Sequence, residues 1–152
     1  MTTALADVET EDTAIVTLKF KSGALGIIEA TTATRPTNLE GSISILGENG
    51  TVVIGGVAVN EMQTWVFEDE QEGDSVVLEE FSVNPPNVYG FGHQAYYEHV
   101  VDCVVNESAN LVDGLQGRKS IELISAIYES AETGKEVFLK FQPKHCRLGQ
   151  KS

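Results

Sequence analysis

Between Ala14 and Phe20 the chain alternates. Ala14, Val16, Leu18 and Phe20 share one register, and Ile15, Thr17 and Lys19 the other. A period of two with one apolar face predicts a half-buried strand. Ser22-Gly23 makes a turn, and residues 24–34 form a second strand with small side chains (Ala24, Gly26, Ala30, Thr32) crowded into one register. Pro36 has no N–H for a ladder and ends that strand. Residues 42–46 and 51–54 flank Glu48-Asn49-Gly50, a hairpin signal, since Asn-Gly tolerates the positive φ angles of a type I′ turn. Residues 57–60, 62–67 and 76–83 read as further strands, with an acidic turn over 68–74. The Asn-Pro-Pro-Asn run at 84–87 stops the last of them. The period then changes. Tyr96, His99, Val100, Cys103 and Val104 recur at three and four, which predicts an amphipathic helix over 91–106. Asp113 caps a second helix, with Gln116 three residues on, and Gly134 ends it. A short strand over 136–141 closes the series.

Six or seven strands followed by two helices argue for an α+β fold: an open, mostly antiparallel β-sheet with the two late helices packed on one face. The chain is long enough for one domain with a substantial core. Residues 1–11 are expected to fray, 12–141 to form a single domain, and 142–152 to be a polar tail. Two helices cannot cover both faces of so wide a sheet. The face rich in Thr, Ser, Ala and Gly is expected to meet a second copy of the chain, giving a homo-oligomer through the open sheet.

Charge narrows the partners. With 23 acidic against 10 basic residues, the net charge is −13. That field repels phosphate backbones and argues against nucleic acid. No apolar run approaches the ~20 residues of a membrane helix. The N-terminus lacks the pattern of a secretory signal, so the expected location is cytoplasmic. Cys103 and Cys146 are too few and too isolated for a disulfide framework. Cys103 falls on an apolar helical face, as a buried thiol does.

Candidate chemistry centres on Arg35, at a strand end beside Thr34, Thr37 and Asn38. A planar guanidinium grips a carboxylate or phosphate through two hydrogen bonds. The alternative is a surface ion pair with Glu29 or Glu40. His93, in the first turn of its helix beside Tyr89, either orients a ligand or makes a local loop contact. His99 reads as a core histidine, Tyr96 and Tyr128 as core aromatics with a polar tip, and Arg118 as a salt-bridge residue. Gly90-Phe91-Gly92 opens a helix but follows a proline loop and lacks a third glycine, a weak phosphate cradle. His93 and His99 are six apart and point to different sides of a helix, so a shared metal is not expected. No nucleophile–base pair can be picked out.

Three segments carry a resemblance over residues 11–141: Asp12-Thr-Ala-Ile with Phe20-Lys-Ser-Gly-Ala-Leu-Gly26, Ile45-Leu-Gly-Glu-Asn-Gly-Thr-Val52, and Leu111-Val-Asp-Gly-Leu-Gln-Gly-Arg118 with Ile127-Tyr-Glu-Ser130. They resemble the C-terminal domain of the glucose–fructose oxidoreductase/inositol dehydrogenase (Gfo/Idh/MocA) family. The stretches 29–41 and 82–97 are similar to one branch, the UDP-N-acetylglucosaminuronate 3-dehydrogenases of lipopolysaccharide sugar biosynthesis. The resemblance implies an N-terminal Rossmann domain holding NAD(P) and the catalytic lysine, none of which is in this sequence. No cofactor is therefore expected on this chain alone, and NAD(P) is implied for a full-length enzyme. It implies further that Thr34, Arg35, Asn38, Asn87, Tyr89 and His93 face a UDP-sugar. The competing reading is a stand-alone, non-catalytic dimerisation or ligand-binding module.

Overall fold

Strands fill the first half of the chain and helices the second. The computed structural model of the protein describes residues 1–3, 6–85 and 89–139. Among them run β1 (Thr13–Lys19), β2 (Leu25–Thr31), β3 (Ile43–Leu46), β4 (Gly50–Gly55) and β5 (Glu61–Phe67), then α1 (Asp74–Glu80), α2 (Gly92–Val105) and α3 (Gly114–Thr133). Every pairing is antiparallel, but the strands form two sheets, β1-β2 and β3-β4-β5. The expected single sheet is broken at the loop over 32–42, where Pro36 has no N–H to carry a ladder onward. The chain divides into two compact units. Residues 1–33 join the chain from Ala109 in the first, and residues 34–108 make the second. The late helices are shared between them, α3 in the first unit and α2 in the second.

In the first unit Gly23, at φ 95°, turns β1 into β2 and sets Val16 opposite Ile28 and Leu18 opposite Gly26. As the alternation predicted, Ala14, Val16 and Leu18 are half-buried and Ile15, Thr17 and Lys19 are exposed; Thr13 at the strand start is half-buried too. In the small-residue register Gly26 is half-buried while Ala24, Ala30 and Thr32 are exposed. Ile15, Leu25 and Ile27 stand on the other side, 67%, 79% and 76% exposed. The N-terminal segment is also better anchored than a fraying end. Thr2 forms a β-bridge with Thr13. Asp12 is buried, and its carboxylate accepts from the Ala6 N–H and the Thr13 hydroxyl. On α3 the Asp113 side chain accepts from Gln116 N at 2.8 Å, and Gly134 ends the helix at φ 65°. Both ends match the sequence reading. Tyr128 is 41% exposed, and its hydroxyl donates to Glu11 Oε1 at 2.7 Å. That bond holds the Glu11 carboxyl below the usual carboxylate range.

In the second unit the hairpin stands where Asn49-Gly50 placed it, with Leu46 opposite Thr51. Its turn is not type I′, because neither Glu48 nor Asn49 has a positive φ. Gly50 is needed for close approach instead: a Cβ there would lie 2.4 Å from the Phe67 ring. Residues 57–60 turn rather than extend the sheet. Residues 76–83, read as a strand from their β-branched valines, lie mostly in α1. Two features select the helix. Asp74 sits in the first turn, where a carboxylate complements the helix dipole. Asp74 and Val77, one turn apart, are its two half-buried positions, and the helix packs on β5. Residues 136–139 carry no strand, and 140–141 lie outside the described residues.

The Trp65 indole N–H donates to Asp74 Oδ1 at 2.8 Å, and Gln71 N donates to the other carboxylate oxygen at 2.7 Å. These bonds, the indole's first, hold the Asp74 carboxyl below its ordinary value. A depressed folded-state pKa contributes stability above the unfolded value of about 3.9 and loses it as pH falls through the folded value. Trp65 is the chain's single tryptophan. Its fluorescence is therefore expected to step below about pH 4, and Asp74→Asn to flatten that step. An identical profile in the variant would show that the pair does not link titration to structure.

The expected core is not closed by the described residues themselves. Their buried apolar side chains are Ala33 and Cys103 alone. Bulky residues on β3 (Ile43, Ile45, Leu46) and α2 (Tyr97, Val101, Val104, Val105) are exposed. Apolar area contributes about 25 cal/mol per Å² only when another layer covers it, and these faces have no such layer among the described residues. No helix of the described residues is long and apolar enough to cross a membrane.

Candidate functional site

The loop over 32–42 follows β2. Thr34 is half-buried, and its carbonyl accepts from Arg35 Nη1 at 2.9 Å; the peptide bond that follows, Arg35-Pro36, is cis. Arg35 and Asn38 are exposed. Farther along, Glu40 Oε2 accepts from Gly56 N at 3.4 Å and Gly41 N donates to Gly56 O at 3.2 Å. Thr34, Arg35 and Asn38 thus lie on one loop, and an arginine, a hydroxyl and an amide are residue types that bind anionic, hydroxyl-rich ligands.

Tyr89 and His93 are brought together at the start of α2. His93 Nδ1 lies 2.9 Å from the Tyr89 carbonyl, and the two rings meet edge-on at 6.1 Å. A carbonyl only accepts, so Nδ1 carries the proton and the neutral ring keeps Nε2 as an acceptor. The local loop contact, one of the two alternatives for His93, is present. Tyr89 is 73% exposed. Asn87, the remaining member of the expected set, lies outside the described residues. His99 is not fully buried; its Nε2 lies 3.5 Å from the Sγ of Cys103, which is a buried free thiol. Tyr96 is 44% exposed, less a core residue than its spacing implied.

A pyrophosphate cradle uses a glycine turn placed directly between a strand and a helix. Among the described residues no strand runs directly into the Gly90-Phe91-Gly92 entry to α2. No three potential metal ligands cluster among the described residues. A groove of about 460 Å³ lies against α3, lined by Glu122, Glu129, Glu136, Val137 and Phe138 among others. Its carboxylates are the wrong sign for an anion.

Sequence reasoning missed Asn60 and Asn84, whose side chains join the β4–β5 turn to the segment ahead of Tyr89. The available signal was an asparagine closing a turn opened by Gly55-Gly56, a residue type whose side chain hydrogen-bonds nearby backbone.

Comparison with known proteins gives two results. The family profile described as "Oxidoreductase family, C-terminal alpha/beta domain" (Gfo/Idh/MocA) matches residues 3–139. Among solved structures, the WlbA dehydrogenase from Bordetella pertussis, in complex with NADH and UDP-GlcNAcA, is 42% identical with a TM-score of 0.80, over 88% of this chain and 38% of that one. The WlbA dehydrogenase from Chromobacterium violaceum, also with NADH and UDP-GlcNAcA, is 41% identical with a TM-score of 0.78, over 92% of this chain and 39% of that one. The chain thus spans about two fifths of the length of these structures.

Proposed function

The chain belongs to the Gfo/Idh/MocA oxidoreductase family as its C-terminal α/β domain, and from that premise we propose that it is the substrate-binding and assembly half of an NAD-dependent sugar-nucleotide dehydrogenase. The substrate is UDP-GlcNAcA or a close relative, oxidised at the sugar 3-position for lipopolysaccharide sugar biosynthesis in the cytoplasm. The observation that carries the reading is 42% identity over 88% of the chain to a dehydrogenase holding NADH and UDP-GlcNAcA.

NAD would accept the hydride, and its site belongs to a dinucleotide-binding half outside these residues. The part of this chain is binding. Arg35 pairs with an anionic group of the ligand. Thr34, Asn38, Asn87 and Tyr89 hydrogen-bond its hydroxyl, amide and phosphate groups. His93, its Nδ1 engaged with Tyr89, offers Nε2 as an acceptor. Holding the sugar in one orientation is itself catalytic, because ordered reactants react far faster than free ones. The test is to join this chain to the dinucleotide-binding half of a WlbA relative and follow NADH formation with UDP-GlcNAcA.

The open apolar face of β1-β2, with Ile15, Leu25 and Ile27, supports a homo-oligomer built through it. Light scattering at tens of micromolar is expected to give at least a dimer, and Ile27→Lys to shift it toward monomer. A strictly monomeric wild-type chain at that concentration would contradict the assembly role.

A further inference from the structure

Asn60 ends the turn between β4 and β5 and is bonded on every side. Its backbone N–H donates to Gly55 O at 2.8 Å, and its Oδ1 accepts from Ala58 N at 3.1 Å. Its Nδ2 donates to Val83 O at 2.7 Å and to Asn84 Oδ1 at 3.1 Å. Asn84 in turn donates to Glu61 Oε1. Ser82 Oγ meets both the N–H and the carbonyl of Met62 at 3.1 Å. The segment 82–84 is thereby pinned to the turn and to β5, five positions ahead of Tyr89.

The other flank of the same turn holds the Arg35 loop. Gly56 accepts from Gly41 N and donates to Glu40 Oε2. Val59 packs so closely on Gly41 that a Cβ there would lie 2.8 Å from Val59 Cγ2. Val59 has φ 53° and Gly56 φ 89°. A β-branched residue is rarely left-handed, and persists there only where its surroundings over-determine it.

We infer that the turn over 55–60 is a two-sided clamp that holds the loop carrying Thr34, Arg35 and Asn38 at its Glu40–Gly41 end and holds residues 82–84, ahead of Tyr89 and His93, in the same arrangement. Asn60 is then a positioning residue for sugar-nucleotide binding. This rests on the reading of those two segments as ligand-facing. Neither Asn60 nor Gly56 touches the ligand in this scheme. They act by restricting the freedom of groups that do, and a ligand that no longer has to order them binds more tightly.

Asn60→Asp keeps the Oδ1 acceptor for Ala58 and removes both Nδ2 donors. Hydrogen exchange on the full chain without ligand reads the clamp directly. Exchange at 82–84 and at 40–41 is expected to rise about tenfold, the worth of one or two neutral hydrogen bonds, with β1-β2 and α3 unchanged. Asn84→Ala cuts the same link from the other side and should raise exchange at 82–84 alone. In the enzyme completed with a dinucleotide-binding half, Asn60→Asp is expected to raise KM for UDP-GlcNAcA about tenfold more than it lowers kcat. Unchanged exchange at 82–84, or a uniform rise through the whole chain, would overturn the clamp. Faster local exchange with an unchanged KM in an active enzyme would overturn the positioning role. Failure of the wild-type enzyme to act on UDP-GlcNAcA would sink the functional reading instead, and the exchange arm still decides the clamp.

Discussion

Arg35→Ala is expected to weaken UDP-GlcNAcA binding by roughly 10- to 100-fold while leaving the fold intact. The size follows from the kind of bond. A hydrogen bond to a charged group is worth about 1.5–3 kcal/mol, and a bidentate guanidinium–anion pair lies toward the upper end. Each 1.4 kcal/mol is a factor of ten in affinity. The ligand offers two partners for such a fork, a uronate carboxylate and a diphosphate. The chain's net charge of −13 makes a local cation matter more, since the surrounding field repels the ligand. Stability should hardly change, because Arg35 is exposed and substitutions at exposed positions usually have small effects on stability. Arg35→Lys is the discriminating control. It keeps the charge but loses the planar fork, so an intermediate loss is expected if geometry matters. Calorimetry on the completed enzyme gives the affinities, and thermal unfolding checks the fold. Equal affinities for wild type and Arg35→Ala would remove Arg35 from the site.

Where the sequence was legible, the signal was local and had one physical meaning. Asp113 with Gln116, and Gly134 one helix later, marked α3 because a carboxylate before free N–H groups and a glycine at a left-handed position have few other uses. The alternation from Ala14 to Leu18 marked β1 for the same reason. Where two causes produce one pattern, the reading failed. Val76 and Val77 suit a strand, but the Trp65–Asp74 bond and the packing on β5 hold a helix there. Both depend on a residue nine positions away, which no local window weighs. Gly50 was placed correctly and explained wrongly, because a glycine required by a neighbouring ring looks in sequence like one required by φ. Nothing local marked Asp12 as a buried carboxylate, because its partner at Ala6 N–H lies in the segment ahead of the first strand. The proposed site shows the same division. Arg35, Tyr89 and His93 stand out by residue type, whereas Asn60 hydrogen-bonds partners more than twenty positions away.

The largest effect expected is the difference between this chain alone and the same chain completed by a dinucleotide-binding half. Alone, it is expected to show no saturable NAD affinity by calorimetry and no NADH formation with UDP-GlcNAcA. The argument is chemical. Among the described residues no strand runs directly into the Gly90-Phe91-Gly92 entry to α2, as a strand–glycine turn–helix cradle requires. Completed, the enzyme is expected to turn over at a rate ordinary for its class, on the order of 1–10 per second. Two results separate the possible failures. Turnover by the chain unaided would mean that these residues hold a complete active site, contrary to the geometry around α2. A folded fusion that binds NAD but ignores UDP-GlcNAcA would leave the family intact and reject the substrate. In that case Arg35, Tyr89 and His93 would serve a different anion, and trying other sugar nucleotides on the same fusion would identify it. The open apolar faces of β1-β2, β3 and α2 add an independent readout. A genuine partner half must cover some of them, so hydrogen exchange over those elements is expected to slow in the fusion. Activity without such protection would mean that the added half works beside this domain rather than against it.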